Sequence, residues 1–155
     1  MSLNELDATD ITILNIIQKD ARTTNKEISH KTGKSLSAAQ VRIRKLQENG
    51  IIKKFVTLLD RKKVGRGLAV FTLIKLNNYG SSALTEFQEK ANAFEEIMEC
   101  YHLSGDSDFI LKVVVQDMDD YNQFIVNKLS VLPHIGAVKS MFVISESKYE
   151  TAFKL

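Results

Sequence analysis

Two groups of residues have the types and spacing to do chemistry. Ser37, Val41, Arg44 and Lys45 recur at helical intervals, with Gln40 and Arg42 on their flanks. On one side of a helix they would present hydrogen-bonding and cationic groups suited to the edges of bases in a major groove. Lys34, Ser35 and Ser37 stand where that helix would begin, and free amide groups with the helix dipole favour a phosphate there. Any single arginine in this set has a simpler reading as a solvated helix charge. The second group is the run Ser104-Gly105-Asp106-Ser107-Asp108. Gly105 leaves the backbone approachable, Asp106 and Asp108 supply acceptors for an ammonium group, and neighbouring N–H groups could take a carboxylate. The competing reading is an ordinary tight turn, for which Gly and Asp are common.

Other reactive residues offer less. Cys100 and His102 would share a strand face, but no third group is placed to orient them, so a core cysteine and a rim histidine explain both. His30 and His134 read as isolated and exposed. The lone cysteine excludes an internal disulfide, and no Cys/His set has metal-ligand spacing. Neither a catalytic site nor a cofactor is expected. No apolar run approaches the roughly 20 residues that span a bilayer, and Met1 to Asp10 lacks a signal-peptide core, so a cytoplasmic protein with no membrane partner is expected.

Charge is segregated along the 155 residues. Positions 22–66 hold 13 Lys/Arg against 3 Asp/Glu, a balance of +10, whereas residues 1–21 give −3 and residues 67–155 give −5. A positive block of this kind suits a phosphate-binding module, although a solvated basic face would carry the same charge.

The elements that must position the first group follow from local patterns. Asp7 can cap a helix with Ile13, Leu14 and Ile17 on one side, Leu6 a turn before and Ala21 a turn after. Thr24-Asn25-Lys26-Glu27 has capping-box spacing, Gly33 can end the short helix that follows, and Ser35 can cap the next. Two helices joined by a short glycine-containing turn form a helix-turn-helix. On the third helix, Leu36 to Asn49, the stripe Leu36, Ala39, Ile43 and Leu46 should pack inward. Asn49-Gly50 stops it, and Ile51 to Thr57 reads as a strand that could form a wing.

Arg61 to Gly67, with two glycines and four cations, reads as a linker between a winged helix-turn-helix over residues 1–60 and a second domain over 68–155. That second part predicts strand (68–76), helix (82–94), strands (97–104 and 109–115), helix (118–132) and strand (138–145). The order βαββαβ is the ferredoxin-like arrangement of an α+β domain, a four-stranded antiparallel sheet with two helices on one face. Since Ala69 to Ile74 is apolar on both sides, the uncovered face calls for a partner, and a homodimer is expected.

Taken together, these segments resemble the Lrp/AsnC, or feast/famine, family of transcription regulators over nearly the whole chain. The likeness is carried by Leu6-Asp7, Asp10 and Ile13-Leu14, by Asp20-Ala21-Arg22, Glu27-Ile28-Ser29, Gly33 and Ser35, and by Arg42 to Leu46 and Gly50-Ile51-Ile52. It continues in Ser104 to Asp108, which match the family's Gly-x-x-Asp turn, in Leu132-Pro133, and in Ser140 at the usual Thr/Ser position. The resemblance implies double-stranded DNA as partner, and a C-terminal RAM domain that assembles dimers, often into octamers. It also implies an amino-acid effector near the turn, which would place Ser104, Gly105, Asp106, Asp108 and Ser140 in or about its site. Lys34 and Leu36 depart from the common Leu and Pro around Ser35, and His134 stands where a glycine is customary, with Gly136 beyond it. Two other functions fit parts of the pattern. An architectural DNA-compacting protein would use the same basic block without operator preference, and ligand-sensing domains of this class also serve as regulatory subunits of enzymes.

Overall fold

The computed structural model describes residues 6–78 and 80–155. They form two compact units, one running to Leu58 and including Lys148–Leu155, the other spanning Leu59–Ser147. Lys148–Leu155 thus group with the first unit, and residues 61–67 with the second.

The first unit is built on three helices, α1 (Ala8–Ile17), α2 (Asn25–Thr32) and α3 (Leu36–Glu48). Each starts where a short polar side chain can satisfy free amide groups. Asp7 accepts from the Asp10 amide at 2.9 Å, Thr24 from Glu27 at 3.2 Å, and Ser35 from Ala38 at 3.2 Å. The Thr24 amide in turn donates to Glu27 Oε2 at 2.8 Å, completing the capping box. Gly33 ends α2 with φ of 65°, the left-handed conformation that glycine adopts without steric cost. Ile13, Leu14, Ile17, Ile28, Ala39 and Leu46 make the core of this unit, with Ile43 packed against it.

Three expectations need correction here. Leu36, read as part of the inward stripe, is 47% exposed, because it is the first helical residue and projects past the core that Ala39 enters one turn later. Ala21 is exposed, since α1 ends at Ile17 and the chain turns before reaching it. The segment after α3 is no strand: beyond the Ile52 amide, which donates to Leu46 O at 3.0 Å, residues 53–59 pair with no strand among the described residues. Alternating apolar residues give a chain strand character only where another edge accepts its hydrogen bonds.

In the second unit, β1 (Leu68–Leu76), α4 (Ser81–Asn92), β2 (Ile97–His102), β3 (Phe109–Val115), α5 (Met118–Phe124) and β4 (Ile135–Phe142) follow in order. The sheet runs β2-β3-β1-β4 with every pairing antiparallel, as the βαββαβ pattern predicts. One face packs on the helices around Val70, Ile74, Phe87, Phe109, Leu111, Val113 and Phe124. The Phe87 and Phe109 rings meet at 4.7 Å, and burying each ring contributes about 2–3 kcal/mol. The second helix changes character at its end, where α5 runs into a wider π-helical turn, Ile125–Leu129, closed by the Ser130 amide on Ile125 O at 2.9 Å. The opposite sheet face carries Phe71, Leu73 and Ile110, which are half-buried, and Met141, which is exposed, and among the described residues the helices pack on the other face.

Candidate DNA-binding face and effector turn

Helix α3 is held against α1 by the inward residues Ala39 and Leu46, which leaves Ser37, Gln40, Val41, Arg44 and Lys45 exposed along its other side. Lys34 and Ser35 are exposed at its start. Ser35 spends its oxygen on the cap and lies 3.2 Å from the Ser37 hydroxyl, so Ser37 is the freer of the two. Arg44 makes a loose 3.6 Å contact with Glu48 one turn on, both side chains being mostly in solvent. Such an exposed pair holds its members weakly, and the guanidinium can exchange Glu48 for another acceptor.

Arg42 is placed differently. Its Nη1 lies 2.7 Å from Asp7 Oδ2 and 2.8 Å from Asp10 Oδ1, tying α3 to the first turn of α1. The two carboxylates hold the guanidinium even more firmly in its charged form. Asp7 titrates below its ordinary range, chiefly because it accepts the Asp10 amide and then because of Arg42. The sequence shows Asp7 and Asp10 as cap residues three apart; nothing in the linear spacing points to an arginine 32 positions on.

The second group forms a turn between β2 and β3. Gly105 has φ of 130°, which explains a glycine there, and Ser104, Gly105 and Asp106 are exposed. Asp108 is woven into the sheet: its amide donates to Ile74 O at 2.8 Å, and its Oδ2 accepts from the Leu76 amide at 2.7 Å. It thereby satisfies a β1 amide at the place where pairing with β4 shifts between Lys75 and Leu76.

Ser140 stands elsewhere. It faces Thr72 across the β1–β4 ladder, on the helix side, and its hydroxyl lies 2.6 Å from Tyr121 Oη, which is 2.9 Å from the buried Thr72 hydroxyl. This chain of three hydroxyls satisfies two buried polar groups. Among the described residues no hydrogen bond joins Ser140 to the turn.

His134 is neither isolated nor fully exposed. Its backbone is left-handed, with φ of 67°, its carbonyl accepts from the Asn77 amide at 2.8 Å, and its ring lies 3.7 Å from Glu86. Gly136, two residues on, runs so close to β1 that a Cβ would stand 3.2 Å from Asn77 N and 3.3 Å from Lys75 O. Cys100 is half-buried and burial pushes its thiol pKa up, which disfavours the nucleophilic thiolate. The His102 ring stacks on Phe109 at 5.0 Å.

Residues 6–53 match the winged helix-turn-helix DNA-binding family, and residues 69–153 match the Lrp/AsnC ligand binding domain. The chain belongs to the Lrp/AsnC family. It is 41% identical to the transcriptional regulator AzlB of Bacillus subtilis, covering 92% of this chain and 91% of that one. It is 37% identical to the glutamate uptake regulatory protein of Zymomonas mobilis, over 99% and 93% of the two chains. Among solved structures, an AsnC family transcriptional regulator from Agrobacterium tumefaciens superposes with a TM-score of 0.90 at 34% identity, covering 96% of this chain and 97% of that one. The L-Met complex of a transcriptional regulator from Neisseria meningitidis gives 0.90 at 29% identity, covering 96% of each. This Lrp/AsnC chain is therefore a DNA-binding transcription regulator with a ligand-binding domain, and not an enzyme.

Proposed function

We propose that this regulator binds specific DNA sequences as a homodimer and changes its activity on binding an amino acid. The observation that carries the DNA reading is the exposed side of α3, where Ser37, Gln40, Val41, Arg44 and Lys45 stand clear of the core while Arg42 is held back by Asp7 and Asp10. A symmetric pair would set two such helices in successive major grooves, with Lys34 and Ser35 at phosphates. In that role the protein works in the cytoplasm, with double-stranded DNA and one small molecule as its partners.

The uncovered sheet face supports the dimer. Phe71, Leu73, Ile110 and Met141 present apolar surface that a second copy could bury, and pairs of such dimers could assemble further, up to an octamer. The amino-acid reading draws on the L-Met held by the Neisseria structure and on relatives named for leucine and glutamate. In this chain the exposed atoms of Ser104, Gly105 and Asp106 are the ones free to meet a ligand. Asp108 would keep the turn in shape, and Ser140 would act from the hydroxyl chain.

A thermal-shift screen against the twenty amino acids, with light scattering on each hit, tests the effector reading. A ligand at 100 times its Kd adds about 2.7 kcal/mol of stability, and a hit that also changes the molecular mass identifies the switch. Silence from all twenty removes the amino acid and leaves the DNA-binding function standing. Equal affinity for selected and random duplexes at physiological salt would replace operator recognition by an architectural role.

A further inference from the structure

The segment expected to be a linker is an ordered basic turn. Lys63 and Val64 donate their amides to Asp60 O at 3.0 and 3.2 Å, Gly65 to Lys62 O at 3.3 Å, and Arg66 to Arg61 O at 2.7 Å. The Asp60 carboxylate accepts the Lys62 amide at 3.0 Å, and the Arg61 guanidinium folds back onto the carbonyls of Arg66 and Gly67. Asp60 and Arg61 are thus spent inside the turn, while Lys62, Lys63 and Arg66 are exposed. Lys63 has only a 4.0 Å contact with Asp60, and among the described residues no carboxylate pairs with Lys62 or Arg66.

The surroundings make this concentration of charge unusual. The rest of the second unit, residues 67–147, holds five Lys/Arg against eleven Asp/Glu. Solubility would not require a positive knuckle at the start of this otherwise acidic unit. A turn closed by its own hydrogen bonds also loses little backbone entropy when it grips a ligand.

We propose that the Asp60–Arg66 turn is a second DNA contact, in which Lys62, Lys63 and Arg66 take phosphates of a duplex backbone. It rests on the DNA-binding reading and adds affinity without sequence preference, because phosphates carry no sequence information. The test is the triple variant Lys62→Gln, Lys63→Gln, Arg66→Gln, which leaves Asp60 and Arg61 to hold the turn. Its affinity is measured over a range of salt for a duplex selected by the wild-type protein and for a scrambled duplex of equal length. Each lost phosphate contact lowers the slope of log K against log salt by about 0.9, so the slope should fall by about 2–3 while the ratio between the two duplexes is kept. The charge-preserving variant Lys62→Arg, Lys63→Arg, Arg66→Lys should keep the wild-type slope. An unchanged slope in the neutral variant, with the wild type binding normally, overturns the second contact alone. A selected-to-scrambled ratio that collapses with the slope overturns its sequence-independent role. Failure of the wild type to bind any duplex overturns the DNA-binding reading beneath it.

Discussion

Arg42 on α3 reaches across to Asp10 on α1, with Nη1 2.8 Å from Oδ1 of a carboxylate side chain only 11% exposed. The contact holds α3 in a fixed attitude to α1, while neighbouring side chains of the same helix remain in solvent. Arg42→Ala would leave the Asp10 charge poorly solvated and should cost about 1.5–3 kcal/mol in urea unfolding. In a double-mutant cycle with Asp10→Ala the losses should be less than additive. A variant of full stability that has lost discrimination between duplexes would instead make Arg42 a base-reading residue.

Arg44 offers the contrasting case. Its only described ion pair is the long contact with Glu48, so Arg44→Ala should leave the melting temperature nearly unchanged. Specific binding should weaken by about 1–3 kcal/mol, roughly 5- to 150-fold, in anisotropy titrations at fixed salt. Operator affinity equal to wild type would remove it from the reading set.

Asp108 separates a packing role from a ligand role. Replacement by Ala strands the Leu76 amide, costing about 1–3 kcal/mol, whereas Asn keeps an acceptor and should fold nearly as well. If the carboxylate charge also takes an ammonium, Asp108→Asn will melt like wild type and lose its thermal shift with the effector. A full shift in the Asn variant confines Asp108 to holding the sheet.

Acid should loosen the helical unit through its caps. The Glu27 pKa lies below its usual 4.5, first because it accepts the Thr24 amide and then the Thr24 hydroxyl. Because the folded value is the lower one, the stabilisation is complete above the unfolded pKa and is lost as pH falls through the folded one. Melting of wild type should therefore decline below about pH 4.5, and Glu27→Gln should flatten that part of the profile. Parallel profiles for the two proteins would show that the cap carries no proton linkage.

Much of the molecule is local and was legible in order along the chain. Thr24 with Glu27, Gly33 and Ser35 act on amides within a few residues, so spacing alone determined where α2 and α3 begin and end. Alternation and turn residues likewise determined βαββαβ, because a strand's side chains take opposite faces whatever it pairs with. The exposed set from Ser37 to Lys45 follows from helical period in the same way.

Other features arise only when distant residues meet. Arg42 looked like its neighbours until folding placed Asp7 and Asp10 beside it. The Ser140 hydroxyl was taken up by Tyr121, and Gln18 took both the carbonyl and the amide of Phe153, at 2.7 and 2.8 Å, drawing the last residues onto the helical unit. Apart from the strand expected after α3, the sequence by itself determined the elements, their order and the charge they carry, since these depend on near neighbours and on composition. Tertiary structure alone decided which polar groups are consumed as supports and which stay free, because that depends on partners brought within about 3 Å by the packing of the whole chain.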